Sequence, residues 1–77
     1  MNKDRRTRLR AARKQLSDAR DDIKIVNDEE DDARDNMPES LQGTERYESS
    51  EEASEHLEDA MDFIDKAIKL IQEAEDT

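Results

Sequence analysis

Leu57-Glu58-Asp59-Ala60-Met61-Asp62-Phe63-Ile64-Asp65-Lys66-Ala67-Ile68-Lys69-Leu70-Ile71 is the stretch that decides the fold. Within it Leu57, Met61, Ile64, Ile68 and Ile71 recur at alternating spacings of four and three, the period of one face of an amphipathic helix. Ala53, Ala60, Ala67 and Ala74 flank that row, and Phe63 and Leu70 lie further around the same side. From residue 57 onward the apolar positions cover about half the helix circumference. One thin partner helix cannot cover a face that wide.

A thinner seam lies upstream. Leu9, Leu16 and Ile23 fall seven residues apart, and Ala12, Ala19, Val26 and Ala33 form a second such series offset by three. Together they read as a heptad seam with large residues in one row and mostly small ones in the other. Ile25 lies off this stripe. Neither Gly nor Pro interrupts the chain before Pro38, so a first helix is expected over about residues 2–35. Met37-Pro38 is the first firm break, because the residue before a proline is pushed out of the helical region. A short turn over about 36–43 follows, ended by Gly43, with Thr44 as N-cap of a second helix over about 44–75.

The expected fold is therefore all-α: one antiparallel two-helix hairpin over residues 1–77, coiled-coil-like. If the chain reverses around residue 40, opposed positions have numbers summing to about 80. That pairs Leu9 with Ile71, Leu16 with Ile64, Ile23 with Leu57, Ala12 with Ile68 and Ala19 with Met61. The expected intrachain seam is Leu9, Ala12, Leu16, Ala19, Ile23 and Val26 against Leu57, Met61, Ile64, Ile68 and Ile71. Ala60, Phe63, Ala67, Leu70 and Ala74 are then left over. Such a patch marks an interface, and a homodimer forming a four-helix bundle is the simplest way to cover it.

Composition limits the remaining choices. The chain has 77 residues, 31% hydrophobic and 47% charged, with one Gly, one Pro and no Cys. At this size a lone core is marginal without disulfides, a metal or self-association, and disulfides are excluded. The longest unbroken apolar run is two residues, too short for a membrane span or a signal-peptide core, so a cytoplasmic, soluble chain is expected. Charge is split along the chain. Residues 1–14 carry seven basic and one acidic side chain; the remainder carries six basic against 22 acidic, for a net charge of -10. Basic residues opening one helix and acids closing the other each oppose a helix dipole, and an antiparallel partner lets them compensate.

Little points to chemistry. There is no Cys, one His and no glycine-rich phosphate loop, so no catalytic residue and no cofactor is expected. His56 with Glu52 at i,i+4 can present two metal ligands on one helix face, but a solvated histidine is the plainer reading. The acidic run Asp28–Asp35 lacks the glycine bend of an EF-hand loop and reads as a solvated face, so no metal site is assigned. Nucleic-acid binding has the basic start in its favour. Against it stand the acidic remainder and the lack of interleaved aromatics. Rows of carboxylates on a rigid rod can also imitate a phosphate backbone and occupy a basic cleft.

The segment Ala33-Arg34-Asp35-Asn36-Met37-Pro38-Glu39-Ser40-Leu41-Gln42-Gly43-Thr44-Glu45-Arg46-Tyr47 resembles the turn of a group of small, acidic, uncharacterised proteins of phages, prophages and gut Firmicutes. These typically carry Asn-Leu-Pro-Glu-Ser-Leu-Gln followed by Ser or Thr, Glu and Arg; Met37 stands here in place of the usual Leu. The resemblance implies a helical hairpin and a mobile-element setting, and it carries no activity. It directs attention to Asn36, Pro38, Glu39, Ser40, Leu41, Gln42, Glu45 and Arg46, which either build the turn or form a recognition site. The functional expectation is a non-enzymatic protein–protein interaction module, with an acidic nucleic-acid-mimicking inhibitor of a basic protein as the alternative.

Overall fold

A computed structural model describes the whole chain, Met1–Thr77. Two helices, α1 (Lys3–Asp35) and α2 (Glu45–Glu75), pack against each other as a rod whose Cα trace extends 60 × 14 × 12 Å. Asn2 caps α1, its side-chain oxygen accepting from the Arg5 N–H at 2.8 Å. Thr44 does the same for α2, accepting from the Tyr47 N–H.

The connection is ordered by backbone bonds. Asn36 closes α1, its N–H donating to the Asp32 carbonyl. Glu39–Leu41 form one turn of 3-10 helix, in which the Leu41 N–H donates to the Pro38 carbonyl at 2.9 Å. Gly43 then takes φ 80°, a left-handed conformation that costs glycine nothing and any other residue strain. Thr44 Oγ1 donates back to the Leu41 carbonyl, tying the cap to the turn.

The helices face each other along rows that differ from the expected seam. Partial or full burial recurs in α1 at Arg6, Leu9, Arg13, Leu16, Arg20, Ile23, Asn27, Glu30 and Arg34. In α2 it recurs at Tyr47, Ser50, Ser54, Leu57, Met61, Ile64, Ile68, Ile71 and Glu75. Leu9, Leu16 and Ile23 are thus one inner row of α1. The second inner row is Arg6, Arg13, Arg20, Asn27 and Arg34, not the expected small-residue series. Of that series Ala12 is half-buried, whereas Ala19, Val26 and Ala33 are exposed, Val26 at 54%. The reason is electrostatic: the guanidinium groups of Arg13, Arg20 and Arg34 reach carboxylates and hydroxyls of α2, while the small residues lie about 40° further round the helix.

Register differs as well. Interhelical polar pairs join Glu30 and Arg34 to Ser50, Asp31 and Arg34 to Ser54, Arg20 to Asp65, and Arg10 and Arg13 to Glu75. Their numbers sum to between 80 and 88, with 85 as the middle value, rather than 80. Leu16 is therefore level with Ile68, Ile23 with Met61 and Asn27 with Leu57. The displacement amounts to about one helical turn, roughly 6–7 Å at 1.5 Å per residue. Its cause is the connection: Pro38 and the 3-10 turn carry the chain past the end of α1, so that the reversal falls at Gln42-Gly43.

Candidate interaction edges

The rows divide the rod lengthwise into two edges of opposite character. One edge joins the Arg6/Arg13/Arg20/Asn27/Arg34 row of α1 to the Ser54/Met61/Ile68/Glu75 row of α2. With one exception, every interhelical polar pair lies along it. Arg13 holds Glu75 through both guanidinium and carboxylate forks, with Nη2 to Oε1 at 2.9 Å, and Arg10 Nε stands 3.7 Å from the same carboxylate. Glu75 is only 7% exposed. Hydrogen bonding to Glu75 raises the Arg13 guanidinium above its ordinary pKa. Near the middle Arg20 pairs with Asp65.

Toward the turn, Arg34 Nη1 donates to the Ser50 carbonyl (3.1 Å), Ser50 Oγ (3.0 Å) and Ser54 Oγ (3.0 Å), while Nη2 meets Asp31. Ser54 Oγ donates to Asp31 at 3.0 Å, and Ser50 Oγ donates to Glu30 at 2.7 Å, the exception that lies on the far side of the seam. Desolvation lowers the Arg34 pKa while the Asp31 hydrogen bond and charge raise it; the net direction is upward. Side chains that usually seek water thus fill the interior here: four of the five buried residues are Asn27, Ser50, Ser54 and Glu75, and Met61 is the fifth.

The other edge carries no ion pair between the helices. Its inner rows are Leu9, Leu16 and Ile23 in α1 and Leu57, Ile64 and Ile71 in α2, all half-buried. Outside them lie Ala12, Ala19, Val26 and Ala33 on one helix and Ala53, Ala60, Ala67 and Ala74 on the other. Phe63 and Leu70 follow around α2, 71% and 55% exposed. Ala60 and Ala67 are half-buried and Ala74 is exposed. Spacing alone located these residues. What it missed is that the small row of α1 joins the same open edge, because its seven-residue series was assigned to the interior. A competing seven-residue series, Arg6, Arg13, Arg20 and Arg34 with Asn27 between, was present in the sequence as the available signal.

The turn-motif residues are held by the backbone bonds described above. Asn36, Pro38, Glu39, Leu41 and Gln42 take part in them, the Gln42 N–H donating to the Glu39 carbonyl at 3.1 Å. Met37 is half-buried and Leu41 is 39% exposed; Glu39, Ser40, Gln42, Glu45 and Arg46 present their side chains to solvent. His56 Nε2 lies 3.5 Å from Glu52 on the exposed surface of α2. At the open end of the rod, Arg6, Arg10, Arg13, Gln72, Glu75 and Asp76 line a shallow cleft of about 420 Å³, in which Arg13 and Glu75 already pair with each other. No helix is long and apolar enough to cross a membrane.

No family model, curated protein or solved structure matches the chain.

Proposed function

We propose that this chain is a non-enzymatic helical-hairpin module that acts by protein–protein interaction, as a homodimer closed through its apolar edge into a four-helix bundle. The observation that carries this reading is the asymmetry of the rod. Arg13, Arg20 and Arg34 on the ionic edge are paired within the chain, while the opposite edge exposes Val26, Phe63 and Leu70 beside two alanine rows. Contiguous exposed apolar surface of this kind is a docking face, and a symmetric dimer is the commonest way for a soluble chain to cover one. The turn motif adds support for a phage or mobile-element setting, and its solvent-facing Glu39, Ser40, Gln42, Glu45 and Arg46 remain free in such a dimer to meet a further protein.

Mass in solution tests this. Sedimentation equilibrium at tens of micromolar should give twice the 9.0 kDa chain mass, and the Phe63→Glu/Leu70→Glu double variant should sediment as a helical monomer. A wild-type chain that stays monomeric overturns the proposal.

One observation favours a second reading. Residues 28–59, the turn half of the rod, hold 14 acidic side chains against two basic ones, a dense carboxylate surface that can mimic a nucleic-acid backbone for a basic protein. Binding to such a target should weaken steeply between 50 and 300 mM salt, as screening shortens to about 6–14 Å. A complex indifferent to salt contradicts it.

A further inference from the structure

The proposed dimer leaves open how its two rods are aligned, and here charge and apolar surface point the same way. With paired positions summing to about 84–85, each residue of α2 has a level on α1. Leu57 lies level with Asn27, Leu70 with Lys14 and Ala74 with Arg10. The apolar edge thus spans residues 9–26 of α1 and 57–74 of α2. Its length is roughly 27 Å at 1.5 Å per residue. With two helices 8–10 Å apart and side chains on both flanks, it offers about 500 Å² per copy. Two copies bury about 1,000 Å² or slightly more, at the threshold for a specific interface.

That stretch does not lie at the acidic end. Residues 1–14 carry +6 and residues 70–77 carry -3, so the open end of the rod has a net charge of +3. Residues 15–27 and 60–69 together contribute -1, and residues 28–59 contribute -12, which recovers the total of -10. A parallel dimer would lay two ends of -12 side by side. An antiparallel one lays each of them along an open end of +3.

We infer that the apolar edge takes a second copy of this chain in antiparallel orientation, about a two-fold axis near Ala19 and Ala67. This rests on the homodimer proposed above and names its geometry. Around such an axis, positions of α1 in the two copies face each other when their numbers sum to about 37. Arg8, on the same edge as Ala12 and Ala19, comes level with Glu29 of the second copy. Within the chain Arg8 has only the exposed Asp4 at 3.1 Å, and Glu29 has no cation. Like charges are separated and opposite charges meet without any change in the hairpin itself. The turns project from opposite ends of the assembly, so a dimer presents two copies of the Pro38–Arg46 segment pointing apart.

Because the chain has no cysteine, single spin labels report the arrangement directly. Lys66→Cys places a label near the proposed axis, on the exposed back of α2; Ser40→Cys places one at the turn. Dipolar coupling at Lys66 within about 30–40 Å is expected of any dimer through this edge. The Ser40 labels should be separated by roughly 60–70 Å, given about 45 residues of rise between the two turns. Coupling at Lys66 with Ser40 labels closer than about 30 Å overturns the antiparallel arrangement while leaving the dimer standing. No coupling at either site overturns the dimer, and the orientation with it. Arg8→Glu should loosen the dimer several-fold at low salt, and adding Glu29→Arg should restore it; loosening without restoration also overturns this alignment.

Discussion

Asn27 is the residue that most plainly trades stability for specificity. It is 5% exposed, level with Leu57 in the middle of the seam, and its side-chain carbonyl oxygen has no hydrogen-bond partner. A buried unpaired acceptor costs about 1–3 kcal/mol, and a polar residue at one inner position of a helix pair selects register and orientation. Asn27→Leu should therefore raise stability by about 1–3 kcal/mol, seen as a higher urea midpoint at unchanged slope. An unchanged or lower midpoint would show that the amide is satisfied in solution. The paired guanidinium groups act differently, since each has carboxylates or hydroxyls within reach. Because the pKa of Arg13 is raised, its stabilising charge is present at every pH below its ordinary guanidinium range and is lost only at more alkaline pH still.

Among the elements, the two ends of the hairpin are held by different means. At the open end Arg10 and Arg13 converge on the buried Glu75, so the basic start of α1 and the acidic end of α2 offset the dipole mismatch each creates alone. Glu75→Ala should lower the melting temperature more than Asp18→Ala, which breaks only the exposed Lys14–Asp18 pair; equal effects would remove Glu75 from this role. At the turn end the interior is polar, with Ser50 and Ser54 around Arg34, and carboxylates crowd both helices. Amide hydrogen exchange should be faster over residues 28–35 and 45–55 than around Ile64. Exchange as slow in both places would contradict this. The helices, the break at Met37-Pro38, the Gly43 stop and the Thr44 cap were legible in the sequence because each has a local backbone cause. The inner row of α1 was not. Apolar periodicity finds the stripe that most needs covering, and here that stripe, Ala12, Ala19 and Val26 beside Leu9, Leu16 and Ile23, faces outward on one edge. The arginine row packs inward because its partners on α2, Ser54, Asp65 and Glu75, stand on the facing edge, and those pairings depend on a register that the 3-10 turn shifts by about one helical turn.

At the scale of the molecule, the rod is amphipathic twice over, across its width and along its length. Across its width it divides into a closed ionic edge and an open apolar one; along its length a basic open end gives way to an acidic turn half. A second copy placed antiparallel satisfies both divisions. Such self-association would supply the apolar burial that a two-helix chain with only Met61 as a buried hydrophobic residue lacks. The most direct test is a solvent-accessibility measurement by NMR with a soluble paramagnetic probe on the wild-type chain. Ile25, 56% exposed on the back of α1, serves as the internal reference for Phe63 and Leu70. The account predicts that Phe63 and Leu70 are shielded at tens of micromolar and become exposed on dilution, while Ile25 relaxes strongly at every concentration. Phe63 and Leu70 as accessible as Ile25 throughout would contradict it.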